Sequence, residues 1–122
     1  MPSSPDLRLL LRLAFDRPAE WLLPPEAPTE VHWAALSLSE VRPGDLFLLP
    51  THGQEPETLA QALHSAQQRG AAASLLLGAF PGVDRLLASS PAGLPLALAP
   101  AYADPRQAQE RLLAALLNHR AA

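Results

Sequence analysis

The sequence predicts an α/β domain: a three-layer sandwich around a mostly parallel sheet. Three observations carry this. Short apolar runs recur at residues 46–49, 73–77 and 94–99. Runs apolar at nearly every position mark strands covered on both faces, as in parallel sheets. Stretches with helical apolar spacing separate and follow them, so the order from residue 45 onward is β-α-β-α-β-α, preceded by a helix and short strands. Strands alternating with helices imply right-handed crossovers onto one sheet.

The first helix is expected from Pro5 to about Phe15. Ser4 is placed to cap it, Pro5 at its first position, and Leu7, Leu10, Leu11 and Ala14 on one face. Asp16-Arg17-Pro18 ends it, because the residue before a proline avoids helical geometry. Residues 20–23 form a short strand candidate, followed by a stiff connector rich in proline at positions 24, 25 and 28. Residues 30–36 read as a second strand, with Val31, Trp33 and Ala35 on one face and His32 and Ala34 on the other.

Arg42-Pro43-Gly44-Asp45 is a turn in which proline presets φ and glycine accepts positive φ. It leads into the strand at 46–49 and a polar loop at 50–55. Pro56 opens a helix with the stripe Leu59, Ala62, Leu63 and Ala66, closed by Gly70. After the strand at 73–77 and a loop at 78–82, Val83, Leu86 and Leu87 mark a short helix. Pro95 puts the next run at a strand start or on a sheet edge. Asp104 caps the last helix, with Gln107 at its third position. That helix is expected to about His119, with Ala108, Leu112, Ala115 and Leu116 facing inward.

With 122 residues the chain forms one domain, spanning 1–122, which can bury roughly two thirds of the surface its unfolded form exposes. It has no cysteine, so no disulfide framework or thiol nucleophile is available. All nine basic residues are arginine, which excludes lysine Schiff-base chemistry and a P-loop lysine. The net charge of −3 gives no nucleic-acid footprint, so direct nucleic-acid contact is not expected. The apolar run at 71–81 is about half the roughly 20 residues a membrane helix needs. The basic, uncleavable look of the N-terminal segment argues against a signal peptide, and a cytoplasmic location is expected.

Ligands of open α/β sheets collect beyond the carboxyl ends of the strands. The loops expected there supply Thr51, His52, Gly53 and Gln54 from the first, Gly78 and Phe80 from the second, and Tyr102 from the third. Their hydroxyl, imidazole, amide and aromatic groups, beside helix N-termini, make a candidate small-molecule rim. His52 at a strand end could act as hydrogen-bond donor or titrating group. Glu55 and Glu57 sit where a helix dipole would hold them. No GxSxG elbow, GxGxxG loop or histidine pair at metal spacing occurs. No catalytic residue, metal or cofactor is therefore assigned, and the chain is not expected to be an enzyme. Trp21 and Trp33 are expected to fill core or interface.

Residues 31–49, VHWAALSLSEVRPGDLFLL, resemble the N-terminal domain of PucR-type purine catabolism regulators. That pattern has a V-x-W strand and an L-x-x-G-E/D-L-x-L turn and strand. A helix, a G-hydrophobic strand, a P-x-x-hydrophobic helix and a G-L-P-hydrophobic strand follow. Here the later parts read as the helix at 60–69, Gly70 before the strand to Leu77, Pro81 before the helix to Ala88, and Gly93-Leu94-Pro95 before the last strand. The order extends through residues 7–118. Where such domains run into a T-T-G-like loop, this chain has Leu49-Pro50-Thr51-His52-Gly53. The resemblance implies a sensory domain of a transcriptional regulator that binds a purine-related metabolite, forms a homo-oligomer, or both. Any helix-turn-helix would lie elsewhere, and the chain is either a fragment or a free-standing sensor.

A second resemblance overlaps the first. Val41-Arg42-Pro43-Gly44-Asp45-Leu46-Phe47, with Arg69-Gly70-Ala71, is similar to the N-terminal domain of Mur ligases. That domain receives a uridine-nucleotide sugar. Mur domains place an aspartate-serine-arginine before the turn and a D-G-H-like motif after the strand; here stand Leu38-Ser39-Glu40 and Gly53-Gln54-Glu55. The two remaining expectations are thus a nucleotide-sugar-binding domain or an interaction module without ligand.

Overall fold

The computed structural model describes residues 5–121. In chain order they form α1 (Leu7–Ala14), β1 (Glu20–Leu23), β2 (Trp33–Ala35), a 3₁₀ turn (Leu38–Glu40), β3 (Asp45–Pro50), α2 (Pro56–Gln68), β4 (Ala73–Leu77), α3 (Val83–Ser89), β5 (Leu96–Ala99) and α4 (Pro105–Ala121). The strands make one sheet in the order β1-β5-β4-β3-β2. β2, β3, β4 and β5 are parallel, and β1 runs antiparallel along β5. This is the predicted α/β three-layer arrangement.

Four parallel strands laid down side by side in sequence order wind in one direction. Right-handed crossovers then put their connections on the same face. Accordingly Leu59 and Leu63 of α2 and Leu86 of α3 share a core with Leu76, Leu96 and Leu98. α1 and α4 cover the opposite face, where Leu7, Leu10, Leu112 and Leu116 meet Leu46, Leu48, Leu75 and Leu77. β4, in the middle, is buried at every position.

The helical stripes lie where spacing puts them: Leu7, Leu10, Leu11 and Ala14 of α1, and Ala108, Leu112, Ala115 and Leu116 of α4, are all buried. α4 runs on to Ala121, two residues past the expected end. The start of α1 differs. The cap expected at Ser4 lies outside the described residues, and the helix begins at Leu7 with Asp6 as its N-cap. One carboxylate oxygen of Asp6 accepts from the Arg8 N–H at 3.1 Å and the other from the Thr29 N–H at 2.8 Å. The same side chain therefore caps the helix and ties it to the segment entering β2. Pro5 precedes the cap, and its carbonyl accepts the Val31 N–H at 3.1 Å.

β2 is the second correction. It is three residues long, and the expected shared face of Val31, Trp33 and Ala35 does not exist. Val31 and Ala34 join the α1/α4 core, Ala35 packs on the other side with Phe47 and Ala66, and Trp33 is 43% exposed. Val31 belongs to the pairing with Pro5, outside the strand, so the two-residue alternation breaks before β2 begins. Trp21 is half-buried against the α1/α4 core with the Arg8 guanidinium 5.1 Å from its ring centroid.

The turn before β3 forms as predicted: the Asp45 N–H donates to the Arg42 carbonyl at 3.1 Å, with Gly44 at φ 89°. Its Gly44 N–H donates to the Gly70 carbonyl at 3.0 Å. Gly70 itself, at φ 93°, ends α2 in a Schellman motif: its N–H bonds Gln67 O, and the Ala71 N–H bonds Ala66 O, both at 3.0 Å. A Cβ at Gly70 would stand 3.0 Å from Pro43 Cα, so the turn and the helix end interlock. β5 lies between β1 and β4, which leaves Pro95 at the strand start and not at an edge. Its carbonyl accepts the Ser74 N–H at 3.0 Å.

Candidate functional site

The three loops predicted at 50–55, 78–82 and 100–104 do meet at the carboxyl ends of β3, β4 and β5, except that Pro50 is the last residue of β3 and the first loop begins at Thr51. Thr51 ties two of them. Its N–H donates to the Leu77 carbonyl at 3.0 Å. Its hydroxyl lies 2.9 Å from Leu77 O and 3.2 Å from Gly78 O, donating between the two. The side chain is 3% exposed. Gly78, at φ 94°, donates its N–H to Ala99 O at 3.0 Å, and a Cβ there would stand 3.4 Å from the Ala103 Cβ. Because β4 leads to α3 on one face and β5 to α4 on the other, a crevice belongs between these loops. Gly78 and Ala103 approach closely enough that a Cβ on Gly78 would be in van der Waals contact with Ala103.

His52, Gly53 and Gln54 form the exposed tip of the first loop. The Gln54 N–H returns to the Thr51 carbonyl at 3.1 Å, and Gly53 takes φ 72° with open space where a Cβ would be. Phe80 is half-buried and packs on the α2/α3 core, its ring so near Gly82 that a Cβ there would lie 2.9 Å away. Tyr102 is 7% exposed and its hydroxyl is engaged. It accepts the Asp16 N–H at 3.0 Å and the Arg17 N–H at 3.2 Å. Its ring lies 4.4 Å from that of Phe15, with the Arg111 guanidinium 5.3 Å away. Thr51, Gly78 and Tyr102 thus hold the loops in place, while His52, Gly53 and Gln54 are the exposed polar groups.

Sequence reasoning missed a fourth segment at this end. Antiparallel β1 pairs Glu20 with Leu98, which brings residues 15–19 beside the third loop, and Asp16 lies 3.6 Å from Arg111. Only the orientation of β1 places them there, and no local signal encodes it.

The start of α4 behaves as read. Asp104 caps α4, its carboxylate accepting from the Arg106 and Gln107 N–H groups at 3.0 and 3.4 Å. α2 starts at Pro56 with no side-chain cap from Glu55. Glu57, in its first turn, has its carboxyl held below the ordinary range by its own backbone N–H and then by Arg85, which donates to it from α3. His64 is bonded to the Ser89 carbonyl at 2.9 Å. Among the described residues no group of three or more His, Asp or Glu could hold a metal ion, and no helix is long and apolar enough to cross a membrane.

Among the described residues, four open clefts lie away from the rim, the smallest of about 240 Å³ between Asp6 and the proline connector. One of about 610 Å³ runs between the proline connector after β1 and the α3–β5 loop. One of about 500 Å³ separates Leu13 of α1 from Ala114 and His119 of α4. One of about 740 Å³ opens at the amino ends of β2 and β3. No loop residue of the carboxyl-end rim lines any of them. Comparison with protein-family models and with curated proteins gives no match to this chain.

Proposed function

We propose that the chain is a non-catalytic regulatory domain of the kind that PucR-type regulators carry at their N-terminus. It works by binding a small metabolite, by self-association, or by both. The observation that supports this reading is the interlock of two distant glycine motifs that it shares with the Mur ligase pattern, joined by motifs that the Mur pattern lacks. The Arg42-Pro43-Gly44-Asp45 turn and the Gly70 helix end share the hydrogen bond from Gly44 to Gly70 O. The resemblance also accounts for Val31 and Trp33 at the entry to β2 and Gly93-Leu94-Pro95 at the entry to β5. The Mur ligase pattern does not reach those positions. Leu13 and Leu117, 55% and 56% exposed on α1 and α4, favour self-association.

In the regulatory mechanism a ligand shifts the population of loop or dimer arrangements by its differential affinity, a few kcal/mol at most. The test is a thermal-melting screen with purines, ureides and nucleotide sugars, paired with light scattering over a range of protein concentrations. A purine or ureide at a hundredfold excess over its Kd should add about 2.7 kcal/mol, a rise of several degrees. Stabilisation by nucleotide sugars alone transfers the assignment to the Mur-like reading. A concentration-dependent dimer with no ligand effect leaves the self-association arm. No shift together with a monomer at every concentration refutes the proposal.

A further inference from the structure

The cleft of about 740 Å³ at the amino ends of β2 and β3 lies at the opposite end of the sheet from the rim, and its lining has a chemistry of its own. Trp33 and Asp45 are register partners in the parallel pair of β2 and β3. Directly paired residues project on the same side of the sheet, so indole and carboxylate stand side by side. Asp45 is 4% exposed, and one of its oxygens accepts the Arg42 N–H at 3.0 Å. Trp33 stays 43% exposed because β2 is the sheet edge. Glu40 of the 3₁₀ turn and Arg42 also line the cleft. Gln109 of α4 reaches the edge strand from the other layer, its Nε2 donating to Ala34 O at 3.0 Å. The His32 ring lies over Gly44, and its Nε2 is 3.9 Å from Glu30.

Two carboxylates, one guanidinium and an indole therefore share this lining. A ring face combined with nearby carboxylates attracts ammonium and guanidinium groups. A carboxylate already desolvated by the fold interacts with such a group more strongly than a solvated one. The volume falls in the range of small-molecule sites. An anion would meet Arg42 but also both carboxylates. We infer that this cleft binds a small organic cation, an amine or guanidinium on a short chain, with Trp33 under the cation and Asp45 and Glu40 as its counter-charges. The inference goes beyond the regulatory reading and does not rest on it.

Calorimetric titration with agmatine, and with n-butylurea as its neutral counterpart, tests the site, while the Trp33 indole N–H resonance reports location. Agmatine should saturate and shift that resonance, and butylurea should do neither. Trp33→Leu should weaken agmatine about tenfold, and Glu40→Gln, an exposed change outside the core, about threefold. Asp45→Asn should weaken it as well. Because Asp45 also holds the turn, the two other variants decide the matter if that one misfolds. The inference fails if agmatine does not saturate by about 10 mM. It fails equally if butylurea binds as well, or if affinity survives both Trp33→Leu and Glu40→Gln.

Discussion

Thr51 shows how one residue can carry a ligand-like signature and serve the fold. A threonine just past an apolar strand reads as an available hydroxyl. What the sequence hides is that two carbonyls, Leu77 and Gly78, stand at its side in space. Thr51→Val keeps the shape and removes the donor in a fully buried place. It should cost about 1–3 kcal/mol in denaturant unfolding, while Thr51→Ser should recover most of that. Glu57 is the opposite case, legible from its place in the first turn of α2. Its lowered pKa comes first from its own backbone N–H and second from Arg85. An NMR titration of Arg85→Ala should find the Glu57 pKa raised from its wild-type position but still below the ordinary range. A folded pKa below the unfolded one means that this contribution is present above the unfolded pKa. It is lost as pH falls through the folded value. Arg85→Ala should therefore narrow that acid-side loss.

At the scale of elements, α1, α2 and α4 could be read because each repeats its apolar residues at helical spacing over two or more turns. β3 and β4 could be read because burial on both faces leaves an unbroken apolar run. β2 could not. Its phase is set by the Val31 N–H bonding Pro5, a contact made by a remote segment, and three residues are too few to show a period. The cap of α1 was misplaced for a related reason: Asp6 is fixed by its second partner, Thr29, far along the chain. Tyr102 joins the start of α4 to the end of α1 through one oxygen and two backbone N–H groups. Tyr102→Phe should cost about 1 kcal/mol, the low end for a lost hydrogen bond, because Asp16 and Arg17 are exposed and water can replace the oxygen. Faster amide exchange confined to residues 16 and 17 should accompany it; unchanged exchange there would contradict the role assigned to the hydroxyl.

For the molecule as a whole, stability should concentrate in the middle of the sheet. β4 is buried at all five positions and flanked by β3 and β5, whereas β1 and β2 are edges. Native-state hydrogen exchange should find its slowest amides at Leu75 and Leu76 and distinctly faster ones in β1 and β2, and equal rates across the sheet would refute this ordering. The layer order was legible from the β-α-β-α-β-α succession, but the division of helices between faces was not, since it follows from the winding direction of the sheet. That division also sets a timetable for synthesis. The face covered by α2 and α3 can close as those helices emerge. The face bearing Leu46, Leu48, Leu75 and Leu77 waits for α4, made after every strand. At about 5–20 residues per second the nascent chain holds an open apolar sheet face for an interval of seconds. A product that stops short of residue 105 never closes it. Closure of that face therefore depends on the last helix, which supplies Ala108, Leu112, Ala115 and Leu116 to its core.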